Sequence, residues 1–561
     1  MVFDICPRLK KVNLLQGEYS FEKFNVFIIG EGNLFCSSLK IFMPDADINL
    51  VSQANANIVI SVSKIYSPQS EYFYMRIVEN KIEIHCSDNM GARNVAAVLA
   101  QVIRKKNNKY VLPVSTIEDW PDAQYRAMML ESSGRVWVPM NKMREYIYEM
   151  ALCRMNVMQF HFMEGPGCTV PLSSAPNLKG GGKEGLKYTL QEVKDMIAYA
   201  TELGITITPF IEVLSHASNL AVSEGIFCPG DNEVNMFDVC LGQEKTYDVI
   251  DKIIEEVAGI FPDDVIHIGA DEYDMAAVTP KTAYWDKCPY CQSLSQKMGY
   301  KSLRELFLYG INRINQIVNK HGKIMMMWNA DIHPGHLPVE LDRNIIMHYY
   351  RYCSDLGKEK LYNLHINGYI DEGFTTINSY YPQTYMDFAE YMSAEKLNSW
   401  TYLNDPLVKK SNYAKIPGGC CCAWESHEHY KRSIPAAIPL FADRLWNAFG
   451  DPVLYDDNYG KAITRVIFGD KLSDDINVFA AIGDVLPPLT NNEKKHNEKI
   501  HKNMVMADVD ELERIKKALS DIITSDFDVA KSYLEATEVA IAEVKNRKEE
   551  APLKESIAFK G

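Results

Sequence analysis

The chain has 561 residues, 47% hydrophobic and 24% charged, which places it among globular proteins of two to four domains at about 150 residues each and excludes disordered or disulfide-stapled miniature chains. Lys and Arg total 59 against 74 Asp and Glu, a formal net charge of -15, and such a surface repels phosphate backbones, so nucleic acid is not an expected partner. No apolar run reaches the length that spans a bilayer, and the first residues lack a basic stretch leading into an apolar core, so neither membrane association nor secretion is expected and a cytoplasmic location is.

Residues 1–120 alternate short β-rich runs (NVFIIG, NIVISVS, YFYMRIV, KIEIHC) with a stretch of helical spacing, GARNVAAVLAQVIRKK, and predict a small α+β domain. From Tyr125 the rhythm becomes strand, helix, strand, helix. Eight strands are predicted: YRAMMLES (125–132), NVMQFHF (156–162), ITITPFIEV (205–213), VIHIGADE (265–272), KIMMMWNA (323–330), NIIMHYY (344–350), TTINSYY (375–381) and CCCAWES (420–426). Most are separated by amphipathic helical segments. Eight such units over residues 121–450 predict an α/β fold with a closed (β/α)8 TIM barrel. Residues 451–561 turn helical and charged, a C-terminal helical region that caps the barrel or pairs subunits, which leaves a homodimer open.

Two further segments are weighed on spacing. SSAPNLKGGGKEG (173–185) lacks the glycine spacing of a phosphate loop and is expected to be a loop over the barrel mouth. The 13 cysteines include the run Cys420-Cys421-Cys422 and fit a reducing compartment, most of them as small buried hydrophobes. Cys288 and Cys291 in CPYC have the spacing of a redox pair or half a zinc site. With no second pair at similar spacing, they are expected to be two free thiols in a loop turn.

In a barrel of this kind chemistry sits where strands end. Polar residues at those ends are Glu131, His161, Glu164, Glu212, His216, Asp271, Glu272, Trp328, Asp331, Tyr380 and Glu425. VIHIGADE carries the strongest local signal. Strand alternation turns Ile266, Ile268 and Ala270 toward the helices and His267 and Asp271 into the barrel, with Glu272 at the strand end. Two adjacent rim carboxyls are either an acid/base pair with separated pKa values or acids bonded to loop amides and a basic side chain.

HIGADE resembles the H-x-G-[GA]-D-E signature of the family 20 glycoside hydrolases, the β-N-acetylhexosaminidases, and the resemblance runs in order over about residues 15–450. IEDWPDAQYRAMMLESS resembles the first barrel strand with its preceding arginine, Arg126. NVMQFHFMEG resembles the second, His161 matching while Glu164 and Gly165 replace two aspartates. KYTLQEVKDMIAYATELGITITPFIEVLSHASNL resembles the third, His216 and Ala217 matching and Phe210, Glu212 and Ser215 departing. MMWNAD supplies Trp328, TYMD supplies Tyr385 and Asp387, and GGCCCAWES with IPLFADRLWN resembles the last strand and its closing helix, Trp424 matching and Glu425 standing one residue before the family's glutamate position at Ser426.

The resemblance implies an exo-acting, retaining hydrolase that removes terminal β-linked N-acetylglucosamine or N-acetylgalactosamine from an oligosaccharide or small glycoside by substrate-assisted catalysis, without cofactor or metal. It implies Glu272 as general acid, Asp271 orienting the acetamido N–H, and Tyr385 holding the acetamido carbonyl. Arg126 and Asp387 would bind sugar hydroxyls, Glu425 and His267 would join them in binding substrate, Trp328 and Trp424 would wall the sugar, and Glu164, His216 and His161 would support the acid from behind. The departures at Gly165, Phe210 and Ser426 suggest a modified or unacetylated hexosamine as an alternative substrate. A sugar-binding protein on a decayed hydrolase barrel is the alternative from another class.

Overall fold

The computed structural model describes residues 3–545 apart from 134–136, 183, 230–237, 274–283, 330–331, 351–364, 387–396, 398, 425–428, 452–456, 479–508, 524–528, 536, 539 and 543. An N-terminal sheet is built from β1 (Lys11–Phe21), β2 (Phe24–Ile29), β3 (Ile48–Leu50), β4 (Ile58–Val62), β5 (Phe73–Val78), β6 (Lys81–Cys86), β7 (Arg104–Lys106) and β8 (Lys109–Asp119), in the order β1-β8-β5-β6-β4-β2-β3 with β7 beside β8. Helices Asn33–Phe42 and Asn89–Val102 pack together beside it. Alternation in β5 and β6 puts Phe73, Met75, Ile77, Ile82 and Ile84 in its core.

The second sheet holds β9 (Tyr125–Glu131), β10 (Val157–Met163), β11 (Thr206–Ile211), β12 (Val265–His267), β13 (Ile324–Trp328), β14 (Ile346–Tyr349), β15 (Thr375–Asn378), β16 (Tyr385–Met386) and β17 (Gly418–Ala423). All but the short β16 form a parallel ring, closed where Cys420 pairs with Ala127 and Asn378 with Gly419. This is the (β/α)8 barrel that the sequence predicts. Its outward side chains join one large core with the helices, whereas Ala127, Met129, Phe210, Met326, Trp328, Ile377, Cys420 and Cys422 fill the interior. The helices between strands start where sequence chemistry dictates. Thr189 with Glu192, and Ser302 with Glu305, close capping boxes at Leu190–Glu202 and Leu303–Lys320.

Several strands are shorter than predicted, and one of them shapes the site. VIHIGADE remains a strand only over Val265–His267, after which Gly269, Ala270 and Glu272 take φ of +66°, +68° and +59°. The left-handed backbone breaks the strand alternation, so Asp271 is placed by a turn. Gly269 is required twice over: besides its φ, a Cβ there would stand 1.7 Å from the Glu212 carboxylate.

The two sheets are locked together by buried charge. Arg126 meets Glu71 at 2.5 Å, Arg154 meets Asp119 at 2.6 Å, and Trp446 donates its indole N–H to Asp119 at 2.9 Å. Arg154 also lies 4.1 Å from the Trp446 ring centroid. Beyond the barrel, helix Val509–Ile522 buries Leu512, Ile515 and Leu519 along one stripe, which makes it a packed element of the C-terminal region.

Candidate active site

The loops after β10, β11 and β12 bring four carboxyls around one imidazole. His216, held at φ +48°, places Nδ1 3.4 Å from Glu164 Oε1 and Nε2 3.7 Å from Asp271 Oδ2 and 3.5 Å from Glu272 Oε2. Glu212 lies beneath, its Oε2 accepting from the Ala270 N–H at 3.1 Å. Ser133 Oγ bridges Glu131 at 2.6 Å and Glu164 at 3.2 Å. Left-handed residues gathered at one spot are a hallmark of a site whose geometry is held by its surroundings.

Charge is distributed unevenly over this cluster. Burial raises the Glu212 carboxyl well above its ordinary value, and Asp271 raises it further. Burial would lower the His216 imidazole, but Asp271 and then the hydrogen bonds to Glu164 and Glu272 outweigh it and hold the pKa well above the ordinary value. Burial and neighbouring charge therefore both favour the neutral form of Glu212, while the surrounding carboxyls favour the imidazolium form of His216. His216, Asp271 and Glu272 also converge tightly enough to grip a cation.

Aromatic rings wall the space above. Tyr385 stands 5.7 Å from Trp424 and lies nearly parallel to Tyr350 at 6.1 Å. Tyr350 donates its hydroxyl to Glu272 Oε1 at 3.4 Å. Burial, then Cys422, Tyr350, Asp271 and Glu272, raise the Tyr385 phenol well above its ordinary value, so its hydroxyl stays a donor. Trp328, only 1% exposed, backs these rings from below, 6.1 Å from Trp424 and 6.2 Å from Tyr385.

The structure thus assembles Asp271, Glu272, His216, Glu164, Tyr385, Trp424 and Trp328 in one place. His161 lies just under them, stacked on Phe210 at 3.9 Å and edge-on to Trp424. Asp387 and Glu425, and the departing Ser426, lie outside the described residues. Two expectations are corrected. Arg126 is no sugar ligand: it is the second residue of β9, at the strand's opposite end, and its guanidinium is consumed by Glu71 and the carbonyls of Arg154 and Ala123. Its position before the strand, not after it, decides this.

His267 is the second correction. It is fully buried beneath Phe210 at 3.8 Å; its Nδ1 accepts from the Gly269 N–H at 3.0 Å, and its Nε2 faces His348 Nδ1 at 3.1 Å. With Nδ1 an acceptor, the neutral ring donates from Nε2 to His348. Burial, then His348 and His161, push its pKa well down, and burial pushes His348 to about 3. Its service is to hold the turn that presents Asp271. The departures at Phe210 and Gly165 are likewise structural: Phe210 fills the interior between two histidines, and a Cβ on Gly165 would press Ser218 Oγ at 2.9 Å and the His216 carbonyl at 3.3 Å.

Glu212 and Tyr350 have no assigned role in the sequence reading, although both end predicted strands. Glu212 appears there as a polar strand-end residue and as a departure from the family pattern, without a role, and nothing short of the fold shows Tyr350 reaching Glu272. A separate cleft of 680 Å³ opens between the N-terminal domain, helix Met140–Leu152 and the C-terminal helices. No residue of the carboxyl cluster lines it.

Comparison with known proteins agrees with the geometry. Residues 124–432 match the glycosyl hydrolase family 20 catalytic domain. A β-hexosaminidase of Vibrio furnissii is 26% identical over 394 residues, 63% of this chain and 61% of its own length, so the chain spans less than two thirds of this relative. The β-N-acetylhexosaminidase of Bacteroides fragilis superposes with a TM-score of 0.71 at 21% identity, covering 83% of this chain and 95% of its own. The exo-β-N-acetylglucosaminidase of Vibrio harveyi bound to N-acetylglucosamine superposes at 0.70 and 19%, covering 83% and 77%. At these identities the superpositions establish a shared fold.

Proposed function

The chain belongs to glycosyl hydrolase family 20, and on that premise we propose that it is a retaining exo-β-N-acetylhexosaminidase working by substrate-assisted catalysis. The observation that carries the reading is the closeness of Asp271 and Glu272, whose carboxylate oxygens lie within 4.8 Å of each other and of His216. Two-carboxylate glycosidases place the scissile bond between acids about 5–5.5 Å or about 6.5–9.5 Å apart. Two neighbouring acids on one side of a histidine suit a different division of labour.

In that division the acetamido carbonyl of the substrate attacks its own anomeric carbon. Glu272, which Tyr350 and His216 face, gives its proton to the leaving oxygen. Asp271 accepts from the acetamido N–H and stabilises the positive charge of the oxazolinium intermediate. Tyr385 donates to the carbonyl oxygen as it moves toward attack. Glu164 holds His216 from the far side, and His216 relays charge between the buried acid and the acting pair. Trp424 and Tyr385, backed by Trp328, offer flat apolar walls to the acetamido methyl and the sugar face. Relatives named as hexosaminidases, and a neighbour crystallised with N-acetylglucosamine, point to terminal N-acetylhexosamine on a small glycoside or oligosaccharide as substrate. The buried free thiols are the ground for placing the enzyme in a reducing, cytoplasmic compartment.

The test is turnover of the nitrophenyl β-N-acetylglucosaminide and β-N-acetylgalactosaminide by wild type, Asp271→Ala and Glu272→Gln. Wild-type activity falling about 10²–10⁴-fold in each variant is expected. Unchanged rates in Glu272→Gln would remove the assignment.

A further inference from the structure

Four cysteines from two different βα loops converge beside the site. Cys228 follows helix Ser218–Glu224 in the loop after β11, Cys240 precedes helix Glu244–Ile260, and Cys288 and Cys291 open helix Pro289–Met298 after β12. Sγ of Cys228 lies 3.9 Å from that of Cys291, and Cys240 lies 3.6 Å from Cys288 and 3.7 Å from Cys291. All four sulfurs fall within 4.8 Å of one another, and all four residues are buried. The expectation of two isolated thiols in a CPYC turn is therefore corrected: the partners come from a different loop, at a spacing that no C-x2-C pair announces.

We propose that these four side chains form a structural zinc site. Four thiolates around one zinc at about 2.3 Å put the sulfurs about 3.8 Å apart along each edge of the tetrahedron. Three of the separations here, 3.6, 3.7 and 3.9 Å, bracket that edge. A disulfide would need about 2.05 Å, and all four cysteines are free. Iron–sulfur clusters spread their ligand sulfurs farther than this. Binding replaces the thiol protons: Zn²⁺ and four thiols give a zinc tetrathiolate and release four protons to solvent.

The surrounding backbone is shaped for the site. A Cβ on Gly242 would lie 2.3 Å from the Tyr290 carbonyl carbon and 2.4 Å from the Cys291 nitrogen, so the Cys240 loop can approach the CPYC turn only with glycine there. Cys240 N–H donates to the Ile226 carbonyl at 2.7 Å, and the Trp285 indole donates to the Val239 carbonyl at 2.8 Å. Trp285 stacks on Tyr273 at 5.4 Å, next in sequence to Glu272. The zinc thus pins the loop bearing His216 to the loop bearing Asp271 and Glu272. It is a positioning device outside the reacting atoms.

Elemental analysis of the purified full-length protein after exhaustive dialysis tests this, together with zinc-edge X-ray absorption and a Cys288→Ser/Cys291→Ser double variant. About one zinc per chain, bound by four sulfurs at about 2.3 Å and lost in the double variant, is the expected result. If the double variant fails to fold, the wild-type absorption spectrum decides alone. Folded wild-type protein without zinc, iron in its place, nitrogen or oxygen ligands in the spectrum, or disulfides among these four residues by mass spectrometry would each overturn the assignment.

Discussion

Burial and Asp271 push the Glu212 carboxyl toward its neutral form, and substitution there separates its titration from its hydrogen bond. Its folded pKa and that of His216 both stand above their unfolded values of 4.5 and 6.5. Stability from such groups is complete below the unfolded pKa and is lost as pH rises through the folded one. Glu212→Gln keeps an acceptor for the Ala270 N–H and abolishes one of these titrations, so denaturation measured from pH 6 upward should show a shallower alkaline loss than wild type. The same slope in both would contradict the raised Glu212 pKa. Tyr385→Phe removes a donor from the site and should lower kcat about 10²–10³-fold while leaving the melting temperature close to wild type. Arg126→Met should do the reverse. It strands buried Glu71 and should cost about 3–5 kcal/mol in denaturant unfolding, with KM unchanged in the folded enzyme; a raised KM at full stability would return Arg126 to the sugar. Asp271, Glu272 and Trp424 are legible in sequence because each sits beside a strand end within a short motif. Arg126 is misleading because a motif preserves order along the chain and says nothing of which end of a strand a side chain serves.

The turn Gly269–Glu272 is the element on which the site depends. Strand β12 is only three residues long, and the turn after it is held by side chains on backbone N–H groups: by His267, the strand's own last residue, on Gly269 N–H, and by Glu212 of the neighbouring loop on Ala270 N–H. The sequence shows the strand and its acids but not this support, because both partners act through backbone N–H groups that leave no trace in residue pattern. Gly269→Ala would drive a Cβ into the Glu212 carboxylate and should abolish turnover even where the protein remains folded, as judged by circular dichroism beside activity. Near-wild-type activity would show that the turn relaxes. At the same scale, the loops after β11 and β12 are legible as helix connections, but their joining by cysteine is not, since Cys228 and Cys240 lie 48 residues and more from the CPYC pair. Chelation should make the segment between Cys228 and Cys291 the first cut in limited proteolysis.

Over the whole molecule, the alternation of strands and helices is enough to predict the barrel, because a parallel strand buried on both faces needs a helix after it. The buried Glu71–Arg126 and Asp119–Arg154 pairs are not predictable in the same way, because they join residues 55 and 35 positions apart in sequence. They set the N-terminal sheet at the end of the barrel opposite the carboxyl cluster, which leaves the strand-end face to the substrate. The central claim about that face is that the nucleophile belongs to the substrate. It is tested most directly by kcat/KM for nitrophenyl glucosaminides whose N-acetyl group carries successive fluorines, which weaken the carbonyl as a nucleophile and leave the glycosidic bond in place. A steep fall with each fluorine in the wild type is the predicted result. Rates indifferent to fluorination would mean that an enzyme carboxylate or a directly activated water attacks the sugar, and would contradict the assignment of Asp271 and Tyr385.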